Sequence, residues 1–180
     1  MNPASNLVLV GPMGAGKTCI GRRLAEHFAL QLADVDREVE QHAGASIATI
    51  FECEGEAGFR QRERSLIEAL VCRSGLLVAT GGGAVLDPAN RRDLRRGGFV
   101  VHLQLTPGQQ LERLERDTTR PLLARPDRDR VLRDLAVARD PLYREIADLG
   151  FATGGLTADQ AAAQLALELE SRWQRPGVAA

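Results

Sequence analysis

The chain is nearly devoid of lysine: of its 23 basic residues only Lys17 is not arginine. Cysteine is scarce too, with three scattered residues (Cys19, Cys53, Cys72) and no CxxC spacing. That excludes a disulfide framework and a cysteine-built zinc site. Neither sign of charge dominates, since the formal net charge is -1, so no basic sheath exists for neutralising nucleic-acid phosphates. Long hydrophobic runs are also missing. The longest, Asn6–Val10 and Gly98–Leu105, fall well short of the ~20 residues that span a bilayer. A strand-like run starts by Leu7, leaving no space for a charged leader and a cleavable apolar segment. These absences predict a soluble, cytoplasmic protein with neither membrane nor nucleic acid as partner. What is present, 180 residues with 44% hydrophobic side chains, is enough for one domain with a real core.

Short apolar runs alternate with amphipathic stretches, the pattern of an α/β layered domain. Strands are expected at Asn6–Val10, Gln31–Ala33, Leu76–Thr80, Phe99–Leu105 and Leu149–Ala152. The longest helical patterns cover Ala57–Arg73 and Arg128–Asp148. Asp87-Pro88 reads as an N-cap followed by proline at the first helical position. Thr106/Gln109 and Thr157/Gln160 both have capping-box spacing. Strands separated by helices imply parallel pairing. One domain is expected over residues 1–175, with a frayed tail at 176–180. Arg116–Arg130, polar and poor in periodicity, reads as a functional lid between two helices.

Gly11-Pro12-Met13-Gly14-Ala15-Gly16-Lys17-Thr18 directly follows the first strand and opens a helix. It matches G-x-x-x-x-G-K-[ST] in the strand–loop–helix setting that the pattern requires. A polyphosphate needs a concave ring of backbone N–H donors, which only small residues let the chain form, and the helix dipole adds to it. Lys17 would neutralise the β- and γ-phosphates, and Thr18 would offer its hydroxyl to Mg²⁺. In a chain that otherwise uses arginine, lysine here fits a need for a compact ammonium.

The acceptor of the phosphoryl group is not written in that loop, so GTPase, ATPase and kinase readings stay open. Asp34 and Asp36 lie at the end of the second strand, where extended geometry would send both carboxylates to one face. Ligands gather at the carboxyl ends of parallel strands. The plain alternative is that both aspartates cap the next helix. Gly81-Gly82-Gly83 follows the third strand and lets backbone approach a ligand, or is simply a flexible turn. Most arginines are solvated, Arg91, Arg92, Arg95 and Arg96 among them, and His27, His42 and His102 are read as structural. Arg60, Arg120 and Arg139 stand in more distinctive surroundings.

Taken together, GPMGAGKT, Asp34-Val35-Asp36, Gly58-Phe59-Arg60, Ala79-Thr80-Gly81-Gly82-Gly83-Ala84, Arg120-Pro121-Leu122-Leu123 and Arg139-Asp140-Pro141-Leu142-Tyr143 resemble the shikimate kinases. The likeness is in order and spans about residues 6–170. It implies a P-loop fold of the nucleoside-monophosphate-kinase type: a three-layer α/β sandwich around a five-stranded parallel sheet. It also implies a substrate-binding segment at about 35–62 and a lid at about 114–127. The implied reaction is Mg²⁺-dependent transfer of the ATP γ-phosphoryl group to the 3-hydroxyl of shikimate. By resemblance, Lys17, Asp36 and Arg120 are catalytic. Gly14, Ala15, Gly16, Lys17, Thr18, Cys19, Arg113 and Arg120 face the nucleotide, with Arg113 stacked on adenine. Asp36, Arg60, Gly82, Gly83 and Arg139 bind shikimate, while Thr18 and Asp34 serve the metal. The family expectation is a monomer.

Two departures from the family pattern stand out. Ala152-Thr153-Gly154-Gly155 replaces a common aspartate-threonine pair, and Cys19 stands where threonine or serine is frequent. A thiol at a helix N-terminus is expected to be oxidation-sensitive. Rival readings are another small-molecule P-loop kinase acting on a carboxylated polyol such as gluconate, a non-catalytic ATP sensor, and an adaptor that binds no nucleotide.

Overall fold

In the computed structural model, residues 4–114 and 127–174 are described. Five strands, β1 (Leu7–Val10), β2 (Gln31–Asp34), β3 (Leu76–Ala79), β4 (Phe99–Gln104) and β5 (Leu149–Ala152), form one sheet in the order β2-β3-β1-β4-β5. Every pairing is parallel, with Val8 opposite Val78 on one side and Val100 on the other. Seven helices are described: α1 (Lys17–His27), α2 (Val35–Ala43), α3 (Ile47–Val71), α4 (Pro88–Gly97), α5 (Pro107–Leu114), α6 (Arg128–Ile146) and α7 (Ala158–Arg172). A short 3₁₀ turn spans Ala84–Leu86.

Side-chain alternation along β1 divides the core into two layers. Leu7 and Leu9 join Ile20 and Leu24 of α1 and Leu165 and Leu169 of α7. Val8 and Val10 join Val39 of α2, Ile67 of α3, Leu94 of α4 and Tyr143 of α6. The sheet is therefore covered on both faces, as its near-continuous apolar strands require. At the amino-terminal edge the buried Asn6 donates to the Arg73 and Gly97 carbonyls and accepts from Leu76 N–H, binding β1, β3 and the ends of α3 and α4 together.

The expected caps are present. Asp87 accepts from Ala89 N–H, and the Thr106/Gln109 and Thr157/Gln160 pairs are each bonded reciprocally. Three expectations need correction. β2 runs one residue further than expected, to Asp34, and α2 starts at Val35. Asp34 and Asp36 thus do not alternate on one strand: Asp34 caps α2, accepting from Arg37 N–H, and Asp36 lies in its first turn. Second, α3 begins ten residues earlier than the Ala57 boundary, its axis broken at Gly55 by a non-helical backbone (φ 69°, ψ -175°). Third, Arg91 is not a solvated arginine. It donates to the Val85 carbonyl at 2.7 Å and pairs with Glu145 at 3.2 Å, locking the 3₁₀ turn to α6.

Candidate active site

The carboxyl ends of β1, β2 and β3 open on one cleft, where the crossovers to α1, α2 and the 3₁₀ turn begin. The 11–18 loop lies at its centre. Gly16 caps α1 in a left-handed conformation (φ 90°) that a side chain would strain. Lys17 Nζ donates to the Gly11 and Pro12 carbonyls at 2.7 and 2.8 Å, so its ammonium lies across the loop. Thr18 Oγ1 donates to Asp34 Oδ2 at 2.6 Å, which brings a hydroxyl and a carboxylate oxygen to the loop's edge. Gly14 and Ala15 form the outer turn, closed by Ala15 N–H on the Pro12 carbonyl at 3.3 Å. Cys19 is exposed on the first turn of α1.

Facing this loop is a cluster of charges from three helices. On α3, Arg60 pairs with Glu63 at 2.7 Å and with Glu56 at 3.2 Å. Burial pulls the Arg60 guanidinium down, but the two carboxylates more than compensate and hold it charged. Glu63 is fully buried, and burial pushes its carboxyl upward, aided by Asp36 and opposed by Arg60 and Arg139. Its Oε1 makes no hydrogen bond, nor does the buried Nε of Arg139 on α6. Such unmet groups in a cleft are the mark of a site shaped for something else.

The glycine turn after β3 is where these groups meet. A Cβ on Gly81 would come within 2.7 Å of Asp36 Oδ1 and 3.1 Å of Glu63 Oε1. One on Gly82 would lie 3.6 Å from Arg139 Nη1, and one on Gly83 would overlap the Arg60 guanidinium. The turn is glycine because four charged side chains close on it. Tyr143, one turn beyond Arg139, donates to the Gly82 carbonyl at 2.5 Å. Burial pushes this phenol up to about 12, so it remains a donor at ordinary pH.

The structure thus brings together Asp36, Arg60, Gly82, Gly83 and Arg139 on one side, and Gly14, Ala15, Gly16, Lys17, Thr18 and Asp34 on the other. Arg120 and most of the expected lid lie outside the described residues. Arg113 spans the Gly14 carbonyl (3.1 Å) and the Thr153 and Leu156 carbonyls, tying the phosphate loop to the loop after β5. Among the histidines, His27 meets Glu170 at 2.9 Å and His42 bonds the Glu38 carbonyl. His102 is buried on β4, its Nε2 3.9 Å from Asp140 and its ring 5.0 Å from that of Tyr143. Burial pulls it down to about 4.

Glu63 is the residue that sequence reasoning missed. Its signal was there: Phe59, Glu63 and Ile67 recur every four residues on the buried face of α3, and a carboxylate at a core position needs a partner.

A family model described as Shikimate kinase matches residues 13–170. A shikimate kinase of Stenotrophomonas maltophilia (strain R551-3) is 59% identical over 180 residues, covering 100% of both chains. One from Xanthomonas campestris pv. campestris (strain 8004) is 53% identical over 174 residues, covering 97% of each. Among solved structures, shikimate kinase from Acinetobacter baumannii in complex with shikimate superposes with a TM-score of 0.87 at 46% identity, over 94% of this chain and 95% of that one. A gluconokinase from Sinorhizobium meliloti 1021, at 17% identity and TM-score 0.59 over 94% of this chain and 97% of that one, shares the fold alone.

Proposed function

The chain belongs to the shikimate kinase family and is an ATP-using kinase acting on shikimate, and on that premise we propose how its residues divide the work. Recognising a carboxylated triol calls for arginine forks on the carboxylate and carboxylates on the hydroxyls. Arg60 and Arg139 supply the forks, Asp36 and Glu63 the acceptors, and the Gly81–Gly83 turn the close floor. The observation that carries this division is the pair of buried, unsatisfied atoms, Glu63 Oε1 and Arg139 Nε, in one cleft.

Asp36 accepts the proton of the attacking hydroxyl as its oxygen bonds the γ-phosphorus and the bridging oxygen leaves with ADP. Lys17 leaves its two loop carbonyls for the phosphate oxygens, and Arg120 meets the transferring group from its other side. Gly14, Gly16, Thr18 and Cys19 line the phosphates through backbone N–H groups, Ala15 shapes the turn that presents them, and Arg113 flanks the base. Thr18 and Asp34 fit Mg²⁺: both present hard oxygens 2.6 Å apart at the loop's edge, leaving other positions to phosphate and water. The ion, when bound, supplies charge neutralisation on the phosphates. The segment 35–62 holds the acceptor. The enzyme acts as a cytoplasmic monomer; no helix among the described residues is long and apolar enough to cross a membrane.

A coupled ADP-release assay with ATP and Mg²⁺ tests this, comparing shikimate, gluconate and no acceptor, with Asp36→Asn alongside. ADP release that requires shikimate and collapses in Asp36→Asn is the expected result. Equal release without acceptor would overturn the division of roles.

A further inference from the structure

Most of the phosphate loop's geometry is local, but two of its carbonyls are held from outside by α5. Gln110, only 3% exposed, donates its amide Nε2 to the Met13 carbonyl at 2.8 Å. Arg113, one turn on, donates to the next carbonyl, that of Gly14, at 3.1 Å. Leu114 completes the contact: a Cβ built on Gly14 would touch its side chain at 3.3–3.5 Å. α5 therefore lies along the outer side of residues 13 and 14.

A trans peptide points its C=O and N–H in opposite directions. With the Met13 carbonyl drawn outward to Gln110, the Gly14 N–H must face the other way, toward the interior of the loop. The neighbouring peptide behaves differently, because Ala15 N–H turns back onto the Pro12 carbonyl. Of these two amides, Gly14 N–H is the one the clamp aims inward. Glycine at 14, in the left-handed region (φ 79°), makes that peptide easy to rotate, so an outside bond is needed to fix it.

We infer that Gln110 is a positioning residue for ATP: by holding the Met13 carbonyl it aims the Gly14 N–H at the bound polyphosphate. The inference rests on the reading of residues 11–18 as the phosphate loop. It is preorganisation of a donor rather than contact with the ligand. Gln110 stands outside every motif that marks the site in the sequence, and it acts through a backbone group that any residue would carry.

Gln110→Met keeps length and burial while removing the donor, and Gln110→Glu sets a carboxylate against the Met13 carbonyl. Binding of ADP, pyrophosphate and adenosine to the full chain, each titrated separately, distinguishes the possibilities. Gln110→Met is expected to weaken ADP and pyrophosphate by roughly fivefold, the scale of one hydrogen bond, and Gln110→Glu by more. Adenosine affinity and the KM for shikimate should stay within about twofold of wild type on the same reasoning. Equal weakening of adenosine and pyrophosphate, or unchanged pyrophosphate binding, overturns the role. Loss of pyrophosphate binding in the wild-type chain would instead sink the phosphate-loop reading itself. A second measurement needs no variant: the Gly14 amide proton of the wild type should move downfield on adding pyrophosphate, and an unmoved resonance overturns the inference.

Discussion

The nucleotide end and the acceptor end of the cleft are built on opposite plans. On the proposed division of roles, one unbroken stretch at the nucleotide end, Gly11–Thr18, carries the donors, and most of them are backbone groups. At the acceptor end four charged side chains, Asp36, Arg60, Glu63 and Arg139, arrive from α2, α3 and α6 to meet over a glycine turn. A polyphosphate is recognised by many weak dipoles, which a short run of small residues can display unaided. A small carboxylated triol offers few handles, each needing a particular side chain at a particular place. The first plan is encoded locally, and the second exists only once the sheet has formed.

If the plans differ in this way, single side-chain changes should be far more damaging at the acceptor end. The largest effect is expected for Asp36→Asn, which keeps shape and removes the proposed proton acceptor. Its kcat should fall by roughly 10²–10⁴ while the KM for ATP stays nearly constant, as steady-state kinetics would report. Arg139→Lys keeps the charge and loses the planar fork. The KM for shikimate should rise ~10–100-fold with little change for ATP, and equal effects on both substrates would break the comparison.

A backbone change sharpens it from the other side. Gly16→Ala places a side chain in a left-handed position, 3.1 Å from Ile20 Cδ1. Strain of ~1–2 kcal/mol should lower the melting temperature and raise the KM for ATP several-fold, leaving shikimate affinity intact.

The smallest effect on activity is expected at His102, which belongs to neither end. Its imidazole is held near 4 against an ordinary value of 6.5, because burial disfavours the cation. Asp140 opposes that shift, while Arg144 and Lys17 add to it. The unfolded chain therefore binds this proton first. The stabilisation is complete above about pH 6.5 and is lost as pH falls toward 4, by about 3 kcal/mol at most. Denaturant titrations should show His102→Phe losing less stability than wild type across that window, with kcat near pH 7.5 little changed.

Much of this molecule could be read in advance. Five parallel strands, the caps at Asp87, Thr106 and Thr157 and the phosphate loop all follow from patterns within about ten residues. Sequence pattern and structure part where contacts are long-range. The sequence pattern puts Asp34 and Asp36 on one extended strand, yet a helix starts between them, because Asp34 can cap it while still reaching Thr18. Arg91 looked solvated because nothing local shows that it turns inward to the Val85 carbonyl. Glu63 shares a helical face with Phe59 and Ile67, but its meaning depends on Arg60, Asp36 and Arg139 around it, which no local pattern shows.

By itself, then, the sequence determined the layered fold, the order of strand and helix, and a loop able to hold phosphate. Apolar period, capping chemistry and backbone N–H groups act over one turn or one strand, within reach of neighbouring residues. Only the tertiary structure decided which arginines close on the glycine turn, that a core carboxylate lies among them, and that a glutamine on α5 holds a carbonyl of the phosphate loop. Charge pairing and carbonyl clamping act through space over a few ångströms, and the sheet alone brings those groups that close.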